Sequence, residues 1–293
     1  MRKILFIIFI SISLISCEKN VDLDLNDASS ILVVDASIEN GQPPVVILSK
    51  SFSYFAEITP QQLSNSFVHD ADVTISNGSR THKLREYYKD TVRGLRFYFY
   101  SIDTLNPATA IYGELNKSYN LKISFEGKDY TATTTIPTHA KRIDSLWWLP
   151  APFNPDTTKV ILMAKSYDPP GLGNYMRYFT KKNSGQFLPG ENSVYDDQFT
   201  DGATYNVRVD PGIDRNLKVE YDDNYLHRGD TVTLKFCNID KSTYQFWSTM
   251  EFAYQSIGNP FSSPIKVQGN ISNGALGAFC GYAAVYQRLI IPR

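Results

Sequence analysis

YNLKISFEGKDYTATTTI, residues 119–136, decides the fold class. Tyr119, Leu121, Ile123 and Phe125 alternate with polar residues, Gly127 turns the chain, and Tyr130, Ala132, Thr134 and Ile136 alternate back to Pro137. A period of two on both arms of a tight turn is that of half-buried, paired strands. The same grammar extends outward. Ile31 to Ile38 is apolar and β-branched, Asn40-Gly41 is a turn signal, and Val45 to Leu48 follows. Val73 and Ile75 alternate up to a second signal at Asn77-Gly78, and Leu95, Phe97, Phe99 and Ile102 mark a further strand. Short strands at regular spacing predict a β-sandwich over residues 31–138. Leu115 to Tyr119 resembles a tyrosine corner, in which a Tyr hydroxyl bonds back to upstream backbone.

Past Pro137 the texture changes. His139 to Pro155 holds Trp147-Trp148 and three prolines, which reads as a connector. Val160 to Tyr167, Tyr175 to Thr180 and Thr231 to Phe236 read as strands, with the turn Asp168-Pro-Pro-Gly171 between the first two. From Lys241 to Ile257, Phe246, Trp247, Met250, Ala253, Tyr254 and Ile257 recur at helical spacing, with Asp240 as N-cap and Gly258 as stop. That stripe is expected to pack on a sheet. Phe279 to Ile291 reads as a closing strand. The fold class is therefore mainly β, an immunoglobulin-like sandwich over 31–138, then a β-rich second domain over 139–293 with one principal helix near 241–257. A length of 293 residues agrees with about two domains.

The amino terminus gives a location. Arg2 and Lys3 precede an apolar run from Ile4 to Ile15, too short to span a bilayer. The run ends Leu14-Ile15-Ser16-Cys17, a lipobox. Residues 1–16 are thus expected to be a lipoprotein signal peptide and Cys17 the lipid-attachment residue, carrying diacylglycerol and an amide-linked chain such as palmitate. Several acyl chains anchor stably where one binds reversibly. The polar, acidic segment at 17–30 is an acylated flexible tether. Removing Arg2 and Lys3 leaves 27 basic against 30 acidic residues, with no clustered basic face for nucleic acid.

Chemistry is scarce. Cys237 and Cys280 either pair in an oxidising compartment, closing a loop of about 43 residues, or stay as buried thiols. His69, His82, His139 and His227 are scattered, so neither a metal nor another cofactor is expected. Asp196, Asp197 and Asp201 form an acidic cluster before Gly202 whose spacing fits no calcium loop; it reads as a solvated turn. Trp147, Trp148 and Phe261, with the loop at 270–281, are candidate partner or ligand contacts. No catalytic constellation is present, and a non-enzymatic role follows.

Taken in order, Ile31-Leu-Val-Val34, Val45-Val-Ile-Leu-Ser49, Ala71-Asp-Val-Thr-Ile75, Tyr195-Asp-Asp-Gln-Phe-Thr-Asp-Gly202, Tyr244-x-Phe-Trp247 and Asn270-Ile-Ser-Asn-Gly274 resemble a family of Bacteroidota outer-membrane lipoproteins. That family carries a domain-of-unknown-function label and is often encoded beside a TonB-dependent receptor. The resemblance implies an outer-membrane lipoprotein that is an accessory or ligand-capture partner of a TonB-dependent transporter or other barrel. The alternative is a structural or adhesin-like envelope assembly subunit. Which membrane face it occupies stays open.

Overall fold

The computed structural model describes residues 30–52, 59–91, 94–215, 217, 221–259 and 265–293. The expected signal peptide at 1–16, Cys17, nearly all of the expected tether at 17–30 and Phe261 lie outside the described residues. The first half runs β1 (Leu32–Glu39), β2 (Val45–Lys50), α1 (Pro60–Asn65), β3 (Asp72–Ser76), β4 (Thr81–Asp90), β5 (Arg96–Ile102), β6 (Lys117–Phe125) and β7 (Lys128–Ile136). The second runs β8 (Arg142–Pro150), β9 (Lys159–Tyr167), β10 (Tyr175–Lys182), β11 (Leu188–Tyr195), β12 (Thr204–Val209), β13 (Leu226–His227), β14 (Thr231–Ile239), α2 (Lys241–Gln255) and β15 (Leu276–Ile290). The chain is mainly β, with one principal helix among the described residues.

One strand path orders β11-β10-β14-β15-β1-β2-β5-β4-β3-β6-β7. Along it β4 changes partner, residues 81–83 pairing with β3 and residues 84–90 with β5. A strand that switches sheets turns a corner and closes two layers over one core. That core holds Val34, Ile38, Val46, Val73, Ile75, Leu121, Ile123, Ile136 and Phe279. The β6–β7 pairing runs unbroken from Lys117–Ile136 to Phe125–Lys128, and both turn residues, Glu126 and Gly127, have positive φ. Such a turn matches the strand twist.

The tyrosine corner is present. The Tyr119 hydroxyl accepts from Glu114 N at 2.7 Å and donates to Tyr112 O at 3.2 Å, and the residue is fully buried. Tyr119→Phe removes both bonds, leaving the Glu114 N–H and the Tyr112 carbonyl without this partner. It should cost about 1–3 kcal/mol, read as a lowered urea midpoint at unchanged slope.

Two expectations need correcting. The segment from His139 to Pro155 is no connector: Arg142–Pro150 is β8, paired with β9 from Leu146–Ala164 to Pro150–Val160. Its bulky residues hid the alternation because both faces of β8 are half-buried. The boundary at 138 does not separate two sheets either. It marks where the covering layer passes from β7 to β8, while the sheet beneath is continuous, and residues Ile31–Arg293 form one compact unit. The join is β15, parallel to β1 and antiparallel to β14. Phe279 and Ala283 enter the sandwich core, whereas Ala278, Cys280, Tyr282 and Ala284 face α2. A second core, with Val160, Leu162, Ala164, Leu234 and Phe236, fills the space between β14 and the smaller sheet of β8, β9, β12 and β13.

Candidate functional site

Helix α2 lies on the sheet face opposite the sandwich, and Asp240 fixes its start. One carboxylate oxygen accepts Thr243 N at 2.8 Å, capping the helix; the other accepts Thr135 N at 2.7 Å and so ties it to β7. Phe246, Trp247 and Met250 then face β1 and the start of β15. After the helix, the segment at 265–275 returns to β15 and is held at three points. Gln268 N donates to Thr249 Oγ1 at 3.0 Å. The Asn270 amide exchanges two 2.8 Å bonds with the Phe279 backbone. Ser272 Oγ accepts Thr131 N at 2.7 Å. Helix, strand and segment leave between them a cavity of about 790 Å³, lined among others by Val33, Asp35, Trp247, Met250, Val267 and Ile271. Its size and apolar walls are those of a small-molecule site. Gly277 forms one edge with φ +96°, and a Cβ there would stand 1.9 Å from Val34 O, so only glycine permits β1 and β15 to approach.

Asp35 is the ionisable group that β1 presents to this cavity. It is open to the cavity yet ringed by protein, and among the described residues its carboxyl makes no hydrogen bond. Burial raises its pKa above the usual carboxylate value, and the nearby Arg177 charge pulls it back only in part. A raised carboxyl pKa destabilises the ionised native state. The penalty is absent below the unfolded value near 3.8 and complete above the native one. Asp35→Asn should therefore raise the melting temperature at pH 7, with the gain vanishing as pH falls towards 3.

Behind the cavity, Arg177 is buried and well partnered. Its guanidinium carbon sits 3.4 Å from the Trp247 ring centre, Nε donates to Ser193 Oγ at 3.3 Å, and Nη1 donates to Tyr282 Oη at 3.3 Å. Trp247 Nε1 donates to the same Tyr282 oxygen at 2.8 Å, while buried Glu251 accepts Ser193 N at 3.1 Å and the Ser193 hydroxyl. These bonds fix the Trp247 ring as a rigid wall.

The structure distributes the residues singled out by sequence. Cys237 and Cys280 are free, and both are buried. They cannot pair: Cys237 lies opposite Ala284, four residues along β15 from Cys280. That offset is roughly 13 Å, against about 7 Å at most between the Cα atoms of a disulfide. Burial pushes both thiols up to about 12, so they pack as small hydrophobes. Trp147 and Trp148 make no common platform, because neighbours in a strand face opposite sides. Trp148 packs inward against the second core with Arg228 over its ring at 4.6 Å; Trp147 stays outside beside Met163. Asp196, Asp197 and Asp201 organise turns: Asp197 accepts Gly173 N and Asn174 N, Asp201 accepts Gly171 N, and Asp196 accepts the Tyr244 hydroxyl. Among the described residues no group of His, Cys, Asp and Glu is placed to hold a metal ion, and no helix is long and apolar enough to cross a membrane.

Sequence reasoning missed the cavity, although Asp35 signals it as a lone carboxylate inside an apolar strand. The chain matches the family described as Domain of unknown function (DUF4249) over residues 18–288. It belongs to that family. The DUF4249 match spans both halves and includes every wall of the cavity, from Val33 to Gly277. No curated protein matches the chain.

Proposed function

We propose that this DUF4249 protein is a lipid-anchored envelope protein that captures a small ligand beneath α2 and works without chemistry of its own, as the accessory of an outer-membrane barrel. The observation that carries capture is the 790 Å³ cavity, walled largely by apolar side chains and a fixed tryptophan, with the Asp35 carboxyl open to it. Ligand sites combine apolar walls with a few placed polar groups in this way. The lipobox ending at Cys17 supports the anchor, and the resemblance noted from sequence supports a TonB-dependent transporter as the barrel.

Native mass spectrometry of the full chain, extracted in mild detergent from its own envelope, tests capture. The wild type should carry an adduct of fixed mass that Ala275→Trp, which fills the cavity, loses. No adduct on the folded wild type, or one that Ala275→Trp retains, sinks the capture reading. A second reading, a structural envelope subunit, is favoured by the outer face of the small sheet. There Trp147, Leu149, Ile161 and Met163 are all partly or fully exposed, and an apolar sheet face of this kind suits a protein contact.

A further inference from the structure

We infer that a second cavity, between the small sheet and β10–β14, binds a small, neutral aromatic molecule bearing one hydroxyl or carbonyl group. This site does not depend on the one beneath α2. Its volume of about 280 Å³ lies at the lower end of ligand pockets, roughly 300–1,000 Å³. The walls include Tyr178, Tyr195, Phe199, Leu234 and Phe236, with the Tyr178 and Tyr195 rings only 9° from parallel. Flat rings favour a flat guest.

One polar atom among these walls is left over. Ser166 is 1% exposed, belongs to the inner face of β9 with Leu162 and Ala164, and lines this cavity; its Oγ has no hydrogen-bond partner. A buried hydroxyl without a partner is a standing cost that a ligand can relieve. Four of the other polar side chains around the cavity have protein partners. Thr200 donates to Asp168 at 2.6 Å, Asp196 accepts Tyr244 at 3.0 Å, Tyr195 donates to Asn192 O at 3.1 Å, and Arg208 pairs with Asp210 at 3.0 Å. The Asp196 carboxylate on the wall would repel an anionic guest, and a pure hydrocarbon would leave Ser166 unsatisfied. Phe199, 97% exposed although it lines the cavity, stands at the mouth with nothing packed on it.

The test is calorimetric titration of the full chain in nanodiscs, with empty discs subtracted, using 2-naphthol, naphthalene and 2-naphthoate. Naphthol should bind about tenfold or more tightly than either of the others. Ser166→Ala should bring naphthol down to the affinity of naphthalene and leave naphthalene unchanged. Phe199→Ala, which removes no core contact, should weaken both. Failure of naphthol to bind, a preference for naphthoate, or an unchanged naphthol-to-naphthalene ratio in Ser166→Ala overturns the proposal.

Discussion

Lys141→Met is expected to destabilise the fold by about 3–5 kcal/mol, the penalty for stranding a buried charge. Lys141 and Asp168 are 1% and 0% exposed in their side chains, and Nζ lies 2.8 Å from Oδ2. The ammonium also donates to Asp196 O at 3.2 Å and to Thr200 Oγ1 at 3.4 Å, and Thr200 in turn donates to Asp168. Lys141 N donates to Asn238 Oδ1 at 2.8 Å, and Asn238 donates back to Lys141 O at 2.9 Å. One residue thus gathers the entry to β8, the exit of β9, the turn at 196–201 and β14. Urea denaturation of Lys141→Met checks the size of the loss. The double variant Lys141→Met with Asp168→Leu should recover most of it, because two apolar side chains of similar bulk leave no bare charge. A single-variant cost below about 1 kcal/mol would show that water reaches the pair, as at exposed ion pairs.

Cys17→Ser is expected to have the largest cellular effect. With no thiol to acylate, the protein should leave the membrane fraction and lose all incorporation of radiolabelled palmitate. Each buried methylene contributes about 0.8 kcal/mol to membrane binding, so the loss of whole acyl chains is not offset by surface contacts. Fractionation with palmitate labelling of both forms reads this directly. A Cys17→Ser protein that stays in the membrane would refute the acyl anchor.

Much of the fold was legible because strands write a period of two. The β6–β7 hairpin, the corner at Tyr119, β1, β9, β14 and the helix capped by Asp240 all fall where alternation, turn residues and caps place them. β8 was missed because Trp147 and Trp148 are both half-buried, one on each face, which erases the alternation. The two-domain division failed for a different reason: only long-range pairing shows that β15 docks between β1 and β14. The candidate sites were less legible still. Their walls come from strands, helix and returning segment far apart in sequence. Lys141 and Ser166 carry no local signal, because burial marks both: Lys141 is ion-paired to Asp168, and Ser166 Oγ has no partner.

The most direct test of the central claim is affinity purification of the full chain, tagged at Arg293, from outer membranes in mild detergent, with mass spectrometry of the bound proteins. An accessory of a barrel should bring down a β-barrel transporter in stoichiometric amount, and Cys17→Ser should bring down less. Recovery of the wild-type protein alone, intact and acylated, would contradict the account.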